Sequence, residues 1–248
     1  IFNIDTGKEI GTFCYRGSGP GEVAALGPIF HFFKEKGDLK TLLFAPNEEK
    51  LFIWNITQSI KRDTTVMDKQ ISYPWREENG GAPYYLMFLK DENTLITELQ
   101  SFPLNDKEAT LPAYQKRTLD TNKLLKSFSS YKKSIRNDEA SILPESFFYS
   151  NDAIKPDGTK VVQAMVHLAQ LNILDLETGH VSGYRLEGEP DFSVFKSDEK
   201  IKSYFTRVQA DDNYIYAVYW GKERWERFET PHMNICLLYT SPSPRDCS

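Results

Sequence analysis

Four stretches carry residue types and spacings that could do chemistry. Arg16-Gly17-Ser18-Gly19-Pro20-Gly21-Glu22 is a glycine-rich loop of the kind that can cradle a phosphate. It lacks a Gly-Lys-Ser/Thr ending, and Pro20 removes an N–H that an anion would need, so the reading is a turn that packs Arg16 or Glu22. Tyr73-Pro74-Trp75-Arg76 and Tyr219-Trp220-Gly221-Lys222-Glu223-Arg224-Trp225 join aromatic rings to cations. Trp and Arg are the side chains that most often anchor an interface. Asn151 and Asp152 are the acceptors suited to a hard cation in the aromatic strand starts around them. His31, His167, His180 and His232 show no ligand spacing, and no Gly-x-Ser-x-Gly nucleophile turn occurs. No catalytic residue, metal ligand or cofactor is therefore expected. The candidate binding residues are Arg16, Glu22, Trp75, Arg76, Trp220, Arg224 and Trp225.

The elements that must position these residues are strands. Asn3-Ile4-Asp5-Thr6-Gly7-Lys8, with a strand expected at 9–15 behind it, reads as a hairpin turn, because glycine supplies the positive φ a tight turn needs. Asn55–Ser59 is a weak copy, and Thr118–Lys123 and Asp175–His180 are good ones, with Asn122 standing in for glycine. The glycine-equivalent positions are 7, 59, 122 and 179, at intervals of 52, 63 and 57 residues. A period of roughly fifty to sixty residues suits four-stranded propeller blades. Strands rich in Val, Ile, Phe, Tyr and Thr are expected at 28–34, 39–45, 50–55 and 61–67, then at 84–89, 94–100, 114–119 and 124–131. Further strands are expected at 147–154, 160–167, 171–176 and 181–186, with a last pair at 203–209 and 214–220. The fold class is all-β: a β-propeller of four-stranded antiparallel blades, about four of them in this chain.

Composition narrows the partners. Lys+Arg number 30 against 35 Asp+Glu, a formal net charge of −5, which argues against a nucleic-acid partner. No apolar run is long enough for a transmembrane helix. Cys236–Asp246 resembles translated sequencing-adapter sequence, so 236–248 is set apart as a non-native, disordered tail and 1–235 as the partial propeller domain. The start in a strand-like stretch at Ile1 is the mark of a fragment, and an incomplete ring would be poorly stable.

Two motifs carry a family resemblance. Arg16–Glu22 resembles the Arg-Gly-x-Gly-Pro-Gly-Glu loop of the TolB-like six-bladed propeller family of Bacteroides-type bacteria. Pro156-Asp157-Gly158-Thr159-Lys160 resembles the blade turn of TolB-type propellers. The resemblance implies six blades in the complete protein and an extracytoplasmic place, in the periplasm or anchored at the outer membrane as a lipoprotein. The function expected is a binding module for a protein, small-molecule or glycan ligand. Its site would lie on the face with the long connections 16–27, 68–83, 101–113, 132–146, 187–200 and 221 onward. The alternative is a propeller hydrolase or lactonase with a metal in the central channel.

Overall fold

The computed structural model describes residues 1–19, 21–27, 30–75, 82–100, 113–129, 149–187, 202–223 and 234–239. Four sheets form, each antiparallel wherever its register is defined and each with its strands in chain order. The first is β1 (Phe30–Glu35), β2 (Asp38–Ala45), β3 (Lys50–Asn55) and β4 (Met67–Ser72). The second is β5 (Ala82–Asp91), β6 (Thr94–Gln100), β7 (Ala113–Thr118) and β8 (Leu124–Ser129). The third is β9 (Ser150–Ile154), β10 (Lys160–Met165), β11 (Gln170–Asp175) and β12 (Val181–Arg185). The fourth has three strands, β13 (Lys202–Ala210), β14 (Tyr214–Glu223) and β15 (Asn234–Tyr239). This is the all-β, blade-sheet class that the sequence predicts. The chain divides into two compact units, Ile1–Leu99 with Gln115–Lys126, and Gln100–Tyr114 with Ser127–Ser248.

Period-two alternation builds the core of the first unit. Leu42, Phe44, Leu51 and Ile53 point to one face of the first sheet, where they meet Met87, Leu89 and Leu95 of the second. Their neighbours Leu43, Ala45 and Phe52 point to the other face and pack under Val23 and Cys14. In the second unit, Val162, Ala164 and Leu171 of the third sheet pack on Tyr204, Phe205 and Val208 of the fourth.

Two expectations fail, each for a local reason. The strand expected at 9–15 does not form: Phe2 and Glu9 make an isolated bridge, and Cys14 turns to φ 56°. The amides of this segment find partners elsewhere, Cys14 N–H on Thr65 Oγ1 at 2.9 Å and Gly27 N–H on Phe44 O at 2.8 Å, so the stretch runs over the first sheet as a cover. A hairpin with no third strand beside it is marginal as a sheet. Asn55–Ser59 is not a hairpin turn. It opens a short helix, α1 (Ile56–Arg62), with Asn55 accepting from Gln58 N–H, and the fourth strand therefore begins at Met67 rather than within 61–67. The connection expected over 68–83 shrinks accordingly. Cys236–Tyr239, from the stretch set apart as tail, pair with β14 as part of β15. An apolar run such as Ile235-Cys236-Leu237-Leu238-Tyr239 will complete an open strand edge whatever its origin.

Candidate functional site

The first unit holds an open cleft of about 340 Å³ lined by Glu35, Lys40, Asp68, Lys69, Glu92, Asn93 and Asp120, with Ile53 at its base. Its walls are the ends of β1 and β2, the start of β4, and the β5–β6 and β7–β8 turns. This is the end of the sheets that carries the short turns, opposite to the long-connection face favoured by the sequence.

Lys40 is the centre of the charge arrangement. Its ammonium is buried and pairs with both Glu35 and Asp68. Burial disfavours the charge, but the hydrogen bonds and fields of Asp68 and Glu35 outweigh it and hold the pKa above the ordinary lysine value. Asn55 Nδ2 links the same Asp68 at 3.0 Å to Asp38 at 3.1 Å, and Gln58 Nε2 reaches Asp38 at 3.0 Å. Those amide donors, Asn55 first, lower the Asp38 pKa. Lys69, beside Asp68 on β4, pairs with Asp120 of the β7–β8 turn across the cleft. Asp120 is set by its own turn, whose N–H donates to Asn93 Oδ1 at 3.0 Å.

Neighbouring residues of a strand normally face opposite ways, yet Asp68 and Lys69 line one cleft. Trp54 lies opposite Met67 while Ile53 lies opposite Lys69, so the register slips by one residue and Asp68 is the extra member. A β-bulge of this kind re-aims side chains. Sequence reading missed the cleft for that reason. The signal it could have used was weaker: unlike charges at the strand ends, Glu35, Lys40 and Asp68.

The residues singled out from the sequence have other partners. Glu22 folds back into its own loop, accepting from Gly19 N–H at 2.8 Å. A Cβ at Gly17 would sit 2.0 Å from the Glu22 carboxylate, so any other residue there would displace the Glu22 side chain from this position. Arg16 shares that loop through a bridge to Val23 and is exposed. Trp75 packs on the first-unit core and donates its indole N–H to Pro46 O at 3.1 Å. Trp220, in the second unit, is 8% exposed, its indole N–H has no acceptor among the described residues, and Lys222 Nζ lies 6.0 Å from its ring. Arg76, Arg224 and Trp225 lie outside the described residues, as do His232 and most of the long connections. His31 stacks on Phe33 and meets the Phe88 ring at a tilt, and desolvation pushes its pKa down to about 4 despite a hydrogen bond with the Leu89 backbone. Asn151 donates to Phe205 O at 3.2 Å and Asp152 accepts from the Tyr114 hydroxyl. Among the described residues no group of three or more His, Cys, Asp or Glu is placed to hold a metal.

Fold and cleft together define a protein of four-stranded antiparallel blade sheets that presents pre-paired charges of both signs. No family model and no curated protein matches the chain. Among solved structures it is similar to a "putative exported protein" from Bacteroides fragilis, with TM-score 0.50 and 15% identity over 96% of this chain and 62% of that one. A further match is Kuenenia stuttgartiensis hydrazine synthase, at TM-score 0.42 and 12% identity over 83% of this chain and 49% of the other. The chain thus spans about three fifths of the length of the Bacteroides protein. At this identity the likeness is one of all-β fold. Among the described residues no helix is long and apolar enough to cross a membrane.

Proposed function

We propose that the chain belongs to an extracytoplasmic binding module of the six-bladed, TolB-like propeller kind, and that it takes a small polar ligand in the Lys40–Asp120 cleft. The Arg16–Glu22 and Pro156–Lys160 motifs, the blade sheets and the exported Bacteroides neighbour support the class. The observation that carries the site is the locking of Lys40 between Glu35 and Asp68 with Lys69 tied to Asp120 opposite. Side chains already held in place lose little freedom when a ligand arrives. Lys40 and Lys69 and three of the lining carboxylates are held in ion pairs, which supports recognition: charged and hydroxyl groups of an amino-acid, amino-sugar or glycan ligand exchanging with the rim pair.

The test is an NMR titration of the chain with zwitterionic and polyhydroxylated small molecules. Binding should move the amide signals of Lys69, Asn93 and Asp120, and Asp120→Asn, at a half-exposed position, should weaken it without unfolding the chain. Ligands that bind while leaving those signals still would remove the site. Turnover of esters or lactones that depends on added calcium would favour the hydrolase alternative.

A further inference from the structure

The cleft of the first unit already holds two ammonium groups, both from the chain itself. Lys40 Nζ lies between Glu35 and Asp68, and Lys69 Nζ lies on Asp120. The two seats differ in access. Lys40 is 8% exposed and enclosed by its two anions, whereas the Lys69 and Asp120 side chains are 42% and 52% exposed. An ion pair open to water is weak. Lys69 is therefore a cation that a ligand can replace, and Lys40 is one that a ligand leaves in place.

The lining also has more anions than these two lysines neutralise. Glu35, Asp68, Glu92 and Asp120 supply four carboxylates against the ammoniums of Lys40 and Lys69, an excess of two negative charges. Glu92 is exposed in the β5–β6 turn and has no ion pair or hydrogen bond among the described residues. Its neighbour Asn93 ties that turn to the Asp120 turn, accepting from Asp120 N–H on Oδ1 at 3.0 Å and from Leu119 N–H on its carbonyl at 2.8 Å. An incoming anion would meet Lys69 alone, among carboxylates that repel it. An incoming ammonium would meet Asp120 and Glu92, with Ile53 at the base to cover the carbons that carry it.

We propose that the cleft selects a ligand with a primary ammonium group and no carboxylate, of the class of the unacetylated amino sugars. Glu92 and Asp120 are its counter-ions, and Lys69 is the internal cation it displaces. The inference rests on the reading of the cleft as a ligand site and narrows it, since amino acids and acidic sugars bring a carboxylate that the excess negative charge rejects. Glu92 sets this preference. Glu35 and Asp68, whose side chains are 33% and 30% exposed while they hold Lys40, are left to accept from the ligand's hydroxyl groups.

Three sugars that share a pyranose ring and differ in charge test it: glucosamine, N-acetylglucosamine and glucuronate. They are titrated into the intact chain and followed by NMR at about pH 6, below the range in which an amine loses its proton. Glucosamine should move the amide signals of Lys69, Asn93 and Asp120 and bind about tenfold more tightly than glucuronate. Glu92→Gln should weaken glucosamine about two- to fivefold and leave N-acetylglucosamine unchanged. Lys69→Met removes the internal competitor and should tighten glucosamine about two- to fivefold, the worth of an exposed ion pair; a Lys69 with a merely structural role would give no gain. The proposal is overturned, with the cleft still a ligand site, if glucuronate or N-acetylglucosamine binds there as tightly as glucosamine, or if Lys69→Met weakens glucosamine. If none of the three sugars moves those signals, the ligand site itself falls and this inference with it.

Discussion

In the hairpin Asp175–His180 the Asp175 carboxylate accepts from Glu177 and Thr178 N–H at 3.0 and 2.7 Å, and Gly179 turns back at φ 82°. In Asn3–Lys8 the Asn3 side chain accepts from Asp5 and Thr6 N–H at 3.0 and 2.9 Å, and Gly7 turns back at φ 65°. The closing bonds agree as well: Gly179 N–H to Asp175 O and Gly7 N–H to Asn3 O are both 2.8 Å. Behind the turns the likeness stops, since Leu176 is enclosed and Ile4 lies in solvent. The turn is a property of five residues; the burial is a property of the strands alongside. The same short sequence is a core element in one place and a surface loop in another.

The comparison can be broken most easily at its second residue. Leu176→Ala should cost about 2–5 kcal/mol, the range for a buried leucine truncated in a packed core. Ile4→Ala should change stability by less than about 0.5 kcal/mol, as at exposed positions generally. Urea unfolding of the two variants measures both, and comparable losses would mean that Ile4 is packed in solution.

The turns themselves should behave alike. Gly179→Ala and Gly7→Ala each place a Cβ in the left-handed region, at a cost of about 1 kcal/mol. At Gly7 nothing lies within 4 Å of that Cβ, and at Gly179 Phe128 lies at an ordinary 3.6 Å, so backbone conformation alone sets the penalty. Faster amide exchange within each turn reads it locally; a penalty in one turn alone would show that the two are not one motif.

The smallest effect is a pH effect. Hydrogen bonds from Thr178, its backbone N–H first, lower the Asp175 pKa, and Asn3 has no proton to gain. At Asp157 burial works to raise the pKa, but Lys155 and Thr159 bring it down to about 2. A carboxylate whose folded pKa lies below its ordinary value of 3.8 adds stability above that pH and loses it as the pH falls towards 2. Acidification from pH 4 to pH 2 should therefore loosen the Thr159 and Thr178 amides and leave the Thr6 turn unaltered beyond the intrinsic change in exchange rate. Equal responses in the three turns would refute the assignment.

The same turn chemistry explains what was legible in the sequence. Composition gave the sheets: strands rich in Val, Ile, Phe, Tyr and Thr stand between turn signals, and a strand such as β2, buried on both faces at Leu42–Ala45, is a continuous apolar run. Gly7, Asn122 and Gly179 were readable as turn residues, and all three have positive φ. Asn55 misled because its side chain accepts from Gln58 N–H at 2.9 Å, three residues on, just as Asn3 accepts from Thr6. A helix cap and a hairpin turn begin with the same bond. The fifth position separates them: Gly7 leaves the right-handed region at once, whereas Ser59 stays in α1 and the reversal waits for Asp63 at φ 50°. The cleft was hidden more deeply. Glu35, Lys40, Asp68 with Lys69, and Asp120 come from four stretches of the chain, and only the pairing of the strands brings them to one place.

In a plain ladder, how many residues precede a position decides which face its side chain takes. Asp68 adds one to the count in β4, so the phase of the strand differs on its two sides. Shortening β4 by this single residue would leave the composition almost unchanged, yet Lys40 would lose one of its two anions and Asp68 and Lys69 could no longer share a wall. The charge pattern of the cleft is thus written partly in chain length. Among chains built on this sheet, a gain or loss of one residue would re-set the charge pattern of the cleft more abruptly than any exchange of side chains.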